Sequence, residues 1–517
     1  MPSYDTIIIG GGTNGLACAA RLAKAGKRAL VLEAAERAGG GATGAALAPD
    51  LAPMPLAHLL TTLDPRVLDG MELERHGLSY AATGLTTTAL SPTGDHLVLE
   101  GPAGAGLSGT IDDAGRAAWE ALRRRLMSFA EALAPFRAVT PPRIARKAGN
   151  DNLKLARIGL GLRRLGQDEF REFLRMALIN IADVLEDEIA DDRLRGLVAF
   201  DAVLGAWLGP RSPNSLILYL NRLAGEAAGT RAALALPRGG MGAVADAMAR
   251  SAEAAGVTLR TGARVGRVLI EEDRACGVIL ADGEEIRAGL VVSAIGPKAT
   301  FLDLVGARHL DTGFVRRATN IRARGGAAKL HLALKGAPDF RGADPATRLV
   351  IAPDIASVEE AFNATKYGEV PERPVMEIVL PKAHEREAGG GHVLSAIVQF
   401  APHAPRAGLD EARRRMLANT LEVLETYAPG IGGLITHSEL LMPQDIEARY
   451  GMAGGNWHHA ELSVEQMLFL RPFAEVAQYA TPVAGLWLAG AGSHPGGGVS
   501  GAAGWNAAER ILSGVAA

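Results

Sequence analysis

The sequence predicts an α/β protein with buried, parallel-type strands and glycine turns in three separated segments. Three observations carry this. Residues 4–33 run from an apolar stretch through a glycine turn into a helical pattern and a second apolar stretch. Residues 235–300 repeat the mixture of glycine turn, alanine-rich helix and strands. Residues 485–512, GLWLAGAGSHPGGGVSGAAGWNAAERIL, place another glycine turn between an apolar run and a helical pattern.

In the first segment, Thr6–Ile9 reads as a buried parallel strand. Gly10, Gly12 and Gly15 supply GxGxxG spacing, Leu16, Ala19, Ala20, Leu22 and Ala23 give a helix its apolar face, and Arg28–Leu32 makes a second strand ending on Glu33. Each glycine has a physical task. Gly10 permits the turn, Gly12 lets backbone approach a pyrophosphate, and Gly15 lets helix pack on strand. The first helical N–H groups, at Thr13 and Asn14, offer donors and partial positive charge to phosphate, and Glu33 can accept from ribose hydroxyls. Set between two strands with an acid at this distance, the motif predicts a Rossmann-like dinucleotide site. A second glycine cluster, Gly39–Gly41, fits a larger cofactor held from several sides.

In the middle block, Thr258–Arg260, Val265–Ile270, Cys276–Leu280 and Leu290–Ala294 read as strands, with Asp282-Gly283 as a hairpin turn. At the end of the chain, Leu486–Ala489 reads as a buried strand, followed by a loop from Gly492 and a helix starting near Val499.

A chain of 517 residues exceeds one ordinary core, so several domains are expected. A net charge of −3 gives no global pull towards nucleic acid. The two cysteines, Cys18 and Cys276, exclude a thiolate metal cluster and a disulfide framework, and no metal is expected. With no signal peptide before the first strand and no apolar run of membrane-spanning length, the expected location is cytoplasmic.

The span 4–44 resembles the flavin-binding opening of the amine oxidase and phytoene dehydrogenase superfamily, departing from it where arginines are common, at Ala35 and Gly41. The combination SHPGGGVSG, GGNWHHAELS and LPRGGMGA resembles the phytoene dehydrogenase-related branch that contains pyridine nucleotide-disulfide oxidoreductase domain-containing protein 2. No CxxC pair is present, so disulfide chemistry is not expected. The resemblance implies non-covalent FAD, bound by a domain of residues 1–90, 230–310 and 470–517. It also implies a helical insertion over 111–229 and an α+β substrate domain over 311–469 with 91–110. It implies FAD contacts at Gly10, Gly12, Thr13, Asn14, Gly15, Glu33, Gly40, Gly41, Val265, Gly492, Gly498 and Val499. The helix near Val499 is expected to aim its N-terminus at the flavin ring.

On the substrate side, Trp119, Leu122, Leu126, Phe129, Leu133 and Phe136 predict an amphipathic helix over 115–136, with further helices near 151–165, 168–187 and 191–206. Residues 120–175 hold thirteen Lys/Arg against six Asp/Glu, a pattern open to a membrane-surface contact through 115–187, a solvated face or a homo-oligomer contact. Residues 327–335 alternate like a strand; Lys329 is either an exposed strand lysine or, by the resemblance, the holder of a water at flavin N5. Residues 451–473 read as a loop and then a helix, with His458, His459 and His494 the histidines expected at the flavin.

The expected function is dehydrogenation of a small or apolar, lipid-soluble substrate by hydride transfer from C–H to flavin, with oxygen or a quinone as acceptor. Two alternatives stand beside it: an amine oxidase forming an imine, and a flavin-fold escort protein without turnover. The candidate catalytic residues are Lys329, His459 and His494.

Overall fold

The computed structural model describes residues 4–47, 53–143, 150–384 and 392–514. Two sheets organise it. The first has five parallel strands in the order Thr258–Arg260, Ala29–Leu32, Tyr4–Ile9, Glu285–Ser293, Leu486–Leu488. The lower half of Glu285–Ser293 instead pairs antiparallel with Arg274–Leu280, which pairs in turn with Val265–Glu271. Strands from the beginning, middle and end of the chain thus share one sheet. Their continuous apolar runs are buried on both faces, as parallel strands require.

The helix Thr13–Lys24 covers this sheet between Met241–Ala254 and the closing helix Ala502–Leu512, which share its apolar core. Contact with the closing helix is close: a Cβ on Gly504 would stand 1.8 Å from the Asn14 carbonyl oxygen. The closing helix begins at Ala502, three residues after the expected start, because Gly498 and Gly501 sit at φ +105° and +66°, outside helical space.

The second sheet has eight strands in the order Ile435–Leu441, Ala327–Leu334, His392–Gln399, Val375–Val379, Arg348–Ile351, Thr87–Ala89, Leu97–Glu100, Gly106–Gly109. Thr87–Ala89, within the expected 1–90 segment, belongs to this sheet and not to the first. Among the described residues, six helices lie between Asp113 and Leu223, and Trp119, Leu122, Leu126 and Phe129 of the first share a core with Leu97, Leu99, Val350 and Phe362. Insertion and sheet therefore form one hydrophobic unit.

Two expectations fail locally. The helix expected over 168–187 is two helices, Gln167–Ala177 and Ile181–Glu188, because Asn180 caps the second by accepting from Asp183 N at 2.8 Å. No α-helix forms within 451–473; short 3₁₀ turns take its place. The cause is Arg471, fully buried, whose guanidinium donates to the carbonyls of His458, Ala460, Glu461, Gln466 and Ala491. The segment wraps around that cation instead of pairing with itself. Of the expected basic patch, Arg146 and Lys147 lie outside the described residues.

Candidate functional site

The five parallel strands end on the same side of their sheet, and a cavity of about 1320 Å³ opens there. Ile9-Gly10, Leu32-Glu33, Val265 and Ala294-Ile295 line it, each at or beside a strand end. Ligands of such sheets bind at carboxyl ends of strands. The volume exceeds the roughly 300–1,000 Å³ of ordinary ligand pockets, which leaves room for a cofactor and a substrate together.

The glycine turn divides its tasks as the sequence implies. Gly10 sits at φ +96°, with Ile295 against it. A Cβ on Gly15 would lie 2.0 Å from the Gly10 carbonyl oxygen, so Gly15 is the point of helix–strand packing and does not line the cavity. Gly12 lines it, and a Cβ there would meet nothing within 4 Å. Thr13 and Asn14 also line it, at the start of a helix that no side chain caps. Asn14 Oδ1 is buried without a partner. Glu33 is held rigidly: its Oε2 accepts from Gly11 N at 2.7 Å and its Oε1 from Ala35 N at 2.8 Å. The second glycine cluster lies alongside, joined through Gly39 N to Gly11 O at 2.8 Å, and brings Gly40 and Gly41 to the wall. An uncapped helix N-terminus, an open glycine, an orphaned amide oxygen and a fixed carboxylate together fit a dinucleotide cofactor. Neither cysteine lines the cavity; Cys18 and Cys276 are both free thiols.

From the closing segment, Gly498 and Val499 line the cavity, whereas the helix that follows does not. The expectation of a helix N-terminus aimed at a flavin ring is corrected accordingly: the loop, not the helix, forms that wall. Gly492 is also off the cavity surface, since it packs where a Cβ would stand 2.4 Å from Pro297 Cδ. His494 points away. Its Nε2 donates to the Phe136 carbonyl at 2.7 Å, tying the closing loop to the end of the insertion helix Asp113–Arg137. His458 and His459 do line the cavity. His458 Nε2 accepts from Trp457 Nε1 at 3.1 Å, and its Nδ1 would be 2.5 Å from a Cβ on Gly497, so the ring needs that glycine. Burial pushes the pKa of His458 down to about 3 and those of His459 and His494 to about 4, so all three are neutral at neutral pH.

Lys329 does not reach the cavity surface. All eight residues of its strand, Ala327–Leu334, are buried, and the alternating pattern concealed a strand covered on both faces. Its Nζ is fully buried without a hydrogen-bond partner, and desolvation lowers its pKa to about 7 despite the nearby charge of Glu377.

Beside Lys329 stands a buried polar network that sequence reading missed. His58 and Glu377, both on the cavity wall, are joined by a 3.0 Å hydrogen bond from His58 Nε2. His58 Nδ1 accepts from Ser395 Oγ at 3.2 Å, and Ser395 Oγ accepts from His331 Nδ1 at 3.4 Å. Behind them, Arg348 donates through Nε to Glu377 Oε2 at 2.6 Å and through its other nitrogens to Asp201. Desolvation opposes ionisation of Glu377, but Arg348 and the His58 hydrogen bond outweigh it and hold the carboxyl below its usual range. Desolvation lowers the His58 pKa to about 4. These six residues come from six separate stretches of the chain, and none carries a motif.

Comparison with known proteins agrees with this geometry. The family model described as flavin containing amine oxidoreductase matches residues 104–512, and an NAD(P)-binding Rossmann-like domain model matches residues 8–69. Pyridine nucleotide-disulfide oxidoreductase domain-containing protein 2 of Rattus norvegicus is 31% identical over 99% of this chain and 94% of its own. A phytoene desaturase (neurosporene-forming) of Cereibacter sphaeroides is 30% identical over 61% of this chain and 60% of its own. Among solved structures, cyclohexylamine oxidase from Brevibacterium oxydans shares the fold with a TM-score of 0.59, at 18% identity over 99% of both chains. The protein is an FAD-dependent oxidoreductase, and the chain belongs to the flavin containing amine oxidoreductase family.

Proposed function

We propose that the protein dehydrogenates a largely apolar organic substrate, with FAD held non-covalently along Gly10, Gly12, Thr13, Asn14, Glu33, Gly40-Gly41, Val265 and Gly498-Val499. The observation that carries this reading is the single cavity running from the GxGxxG turn to the helical insertion. Bound there, a flavin would supply the hydride-accepting chemistry. The chain's own work is binding, orientation and exclusion of water. Uncapped N–H groups at Thr13 and Asn14 would face the pyrophosphate, and Glu33 the ribose. Leu59, Leu204, Leu218, Ile397 and Leu462 supply apolar wall, against Tyr450 and Trp457 as the aromatic contribution. That balance favours an apolar substrate over an amine held between aromatic walls.

His459 remains the candidate for contact with the reacting centre, since it lines the cavity and its Nδ1 has no hydrogen-bond partner. His494 is reassigned to holding the loop in place, and Lys329 to the buried network. The segments 1–90, 230–310 and 470–517 would act as the cofactor unit. The remainder, together with Thr87–Ala89, would form the substrate side. The exposed Leu153 and Leu160 on the basic helix Asn150–Arg163, with Leu174 and Leu178 on or next to the neighbouring helix Gln167–Ala177, support peripheral docking on an anionic lipid surface. Among the described residues, no helix is long and apolar enough to cross a membrane.

The test is the spectrum of purified protein and its anaerobic bleaching by a panel of isoprenoid hydrocarbons, fatty acyl compounds and amines. Protein that stays colourless with added FAD overturns the cofactor assignment. Bleaching by amines alone overturns the substrate class.

A further inference from the structure

We propose that Arg137 is the anchor for a carboxylate on the substrate, so that the substrate is an organic acid with an apolar body. This rests on the oxidoreductase reading above and deepens it.

Arg137 is the last residue of the helix Asp113–Arg137, and it lines the cavity beside Thr61, Thr62 and Asn221. Its Nη1 donates to Asn221 Oδ1 at 2.7 Å and to the Asn221 carbonyl at 3.3 Å; its Nη2 donates to Thr62 Oγ1 at 3.3 Å. A guanidinium has five N–H donors. Nε–H and one N–H of Nη2 make no hydrogen bond, on the Nε/Nη2 edge that pairs side-on with carboxylates.

The surrounding charges leave the same vacancy. Asp201 is paired with Arg348 and Arg222, and Glu377 with Arg348 and His58. Of the other cations on the wall, Arg37 pairs with Asp246 and Arg449 with Glu439, while Arg264 and Lys298 sit beside Val265 and Ala299. Asp64, near enough for its charge to act on Arg137, is already bound to Arg66 at 2.7 Å. Among the described residues, Arg137 has no carboxylate within ion-pair distance. Desolvation lowers its pKa, the direction expected of a cation lacking a counterion.

Its placement is also fixed. His494 holds the Phe136 carbonyl, and Asn506 Nδ2 donates to the Arg137 carbonyl at 3.0 Å. The closing segment that lines the cavity through Gly498 and Val499 thereby sets the position of this arginine. An apolar wall with Arg137 fixed in it, hydrogen-bonded but without a carboxylate, suits a hydrocarbon chain ending in an acid better than a pure hydrocarbon, which would leave that charge without a counterion.

The experiment titrates flavin-loaded protein with octanoate and dodecanoate, and with 1-octanol and 1-dodecanol as uncharged matches. Perturbation of the flavin absorption band and the thermal midpoint are read together. Wild-type protein is expected to bind the acids more tightly than the alcohols. Arg137→Met should weaken acid binding by about thirtyfold, with flavin content and alcohol binding unchanged. Arg137→Lys, which keeps charge but loses the fork, should fall between. Equal affinity for acid and alcohol in the wild type overturns the proposal without reference to any variant. Flavin loss in Arg137→Met, or acid binding that the substitution leaves unchanged, also overturns it, the former by placing the arginine on the cofactor. A colourless wild type is a different failure, that of the cofactor assignment itself.

Discussion

Replacing Gly12 and Gly15 separately by alanine distinguishes the cofactor role of the glycine turn from its packing role. At Gly12, φ is −66° and a Cβ would meet no protein atom within 4 Å, so alanine fits the folded chain. It loses some N-cap preference and gains from a stiffer unfolded chain, and these opposing terms leave apo stability within about 1 kcal/mol of wild type. The new methyl would nevertheless stand where the pyrophosphate must approach the backbone. Losing a hydrogen bond to a charged group costs roughly 1.5–3 kcal/mol, a drop of about ten- to hundredfold in FAD affinity. Gly15→Ala inverts the pattern: its methyl would lie 2.0 Å from a backbone oxygen, and helix and strand must part at a cost of about 1–3 kcal/mol or more. Urea unfolding of the apoprotein measures stability, and quenching of FAD fluorescence measures affinity. If Gly12→Ala binds FAD within threefold of wild type, or Gly15→Ala unfolds at the wild-type midpoint, the division of roles is refuted.

Three further outcomes are expected. Arg348→Met strands the carboxylates of Glu377 and Asp201 in the interior and should destabilise by about 3–5 kcal/mol in urea; without its cation Glu377 then favours a proton in the folded state, so the loss grows between pH 5 and pH 8, and a pH-independent loss under 1 kcal/mol would refute the network. His58 and His494 have folded pKa values of about 4, below the ordinary 6.5, so the unfolded chain binds more protons as acid is added; stability should fall from about pH 6.5 to pH 4, by roughly 1.4 kcal/mol per unit for each ring, and flat urea midpoints over that window would contradict it. Leu160→Glu with Leu174→Glu should abolish sedimentation with anionic vesicles while leaving flavin content intact; sedimentation equal to wild type rejects the docking surface.

Local pattern made the cofactor half legible. Thr6–Ile9, the three glycines and Glu33 lie within one short span, and their spacing reflects contacts between neighbours in sequence. The strands around Val265 and Leu486 announced themselves by apolar runs. Lys329 shows where pattern misleads: alternation suggested a half-exposed strand, but what covers the second face comes from elsewhere in the chain. His494 misleads differently, since a histidine in a glycine loop has no sequence mark that tells a cavity-facing ring from one bonded to Phe136 O.

The sequence by itself determined the Rossmann turn and the acid after the second strand, because backbone geometry and apolar periodicity are written locally, while the return of the chain end to the first sheet was an implication of the family resemblance. Only the tertiary structure decided which charges meet. His58, Asp201, Arg348 and Glu377 find one another across some 320 residues, and Arg137 reaches the cavity because the insertion helix ends against Asn506 and His494. Charges separated this far interact only after folding has removed the water between them, and no spacing rule in the chain records that encounter.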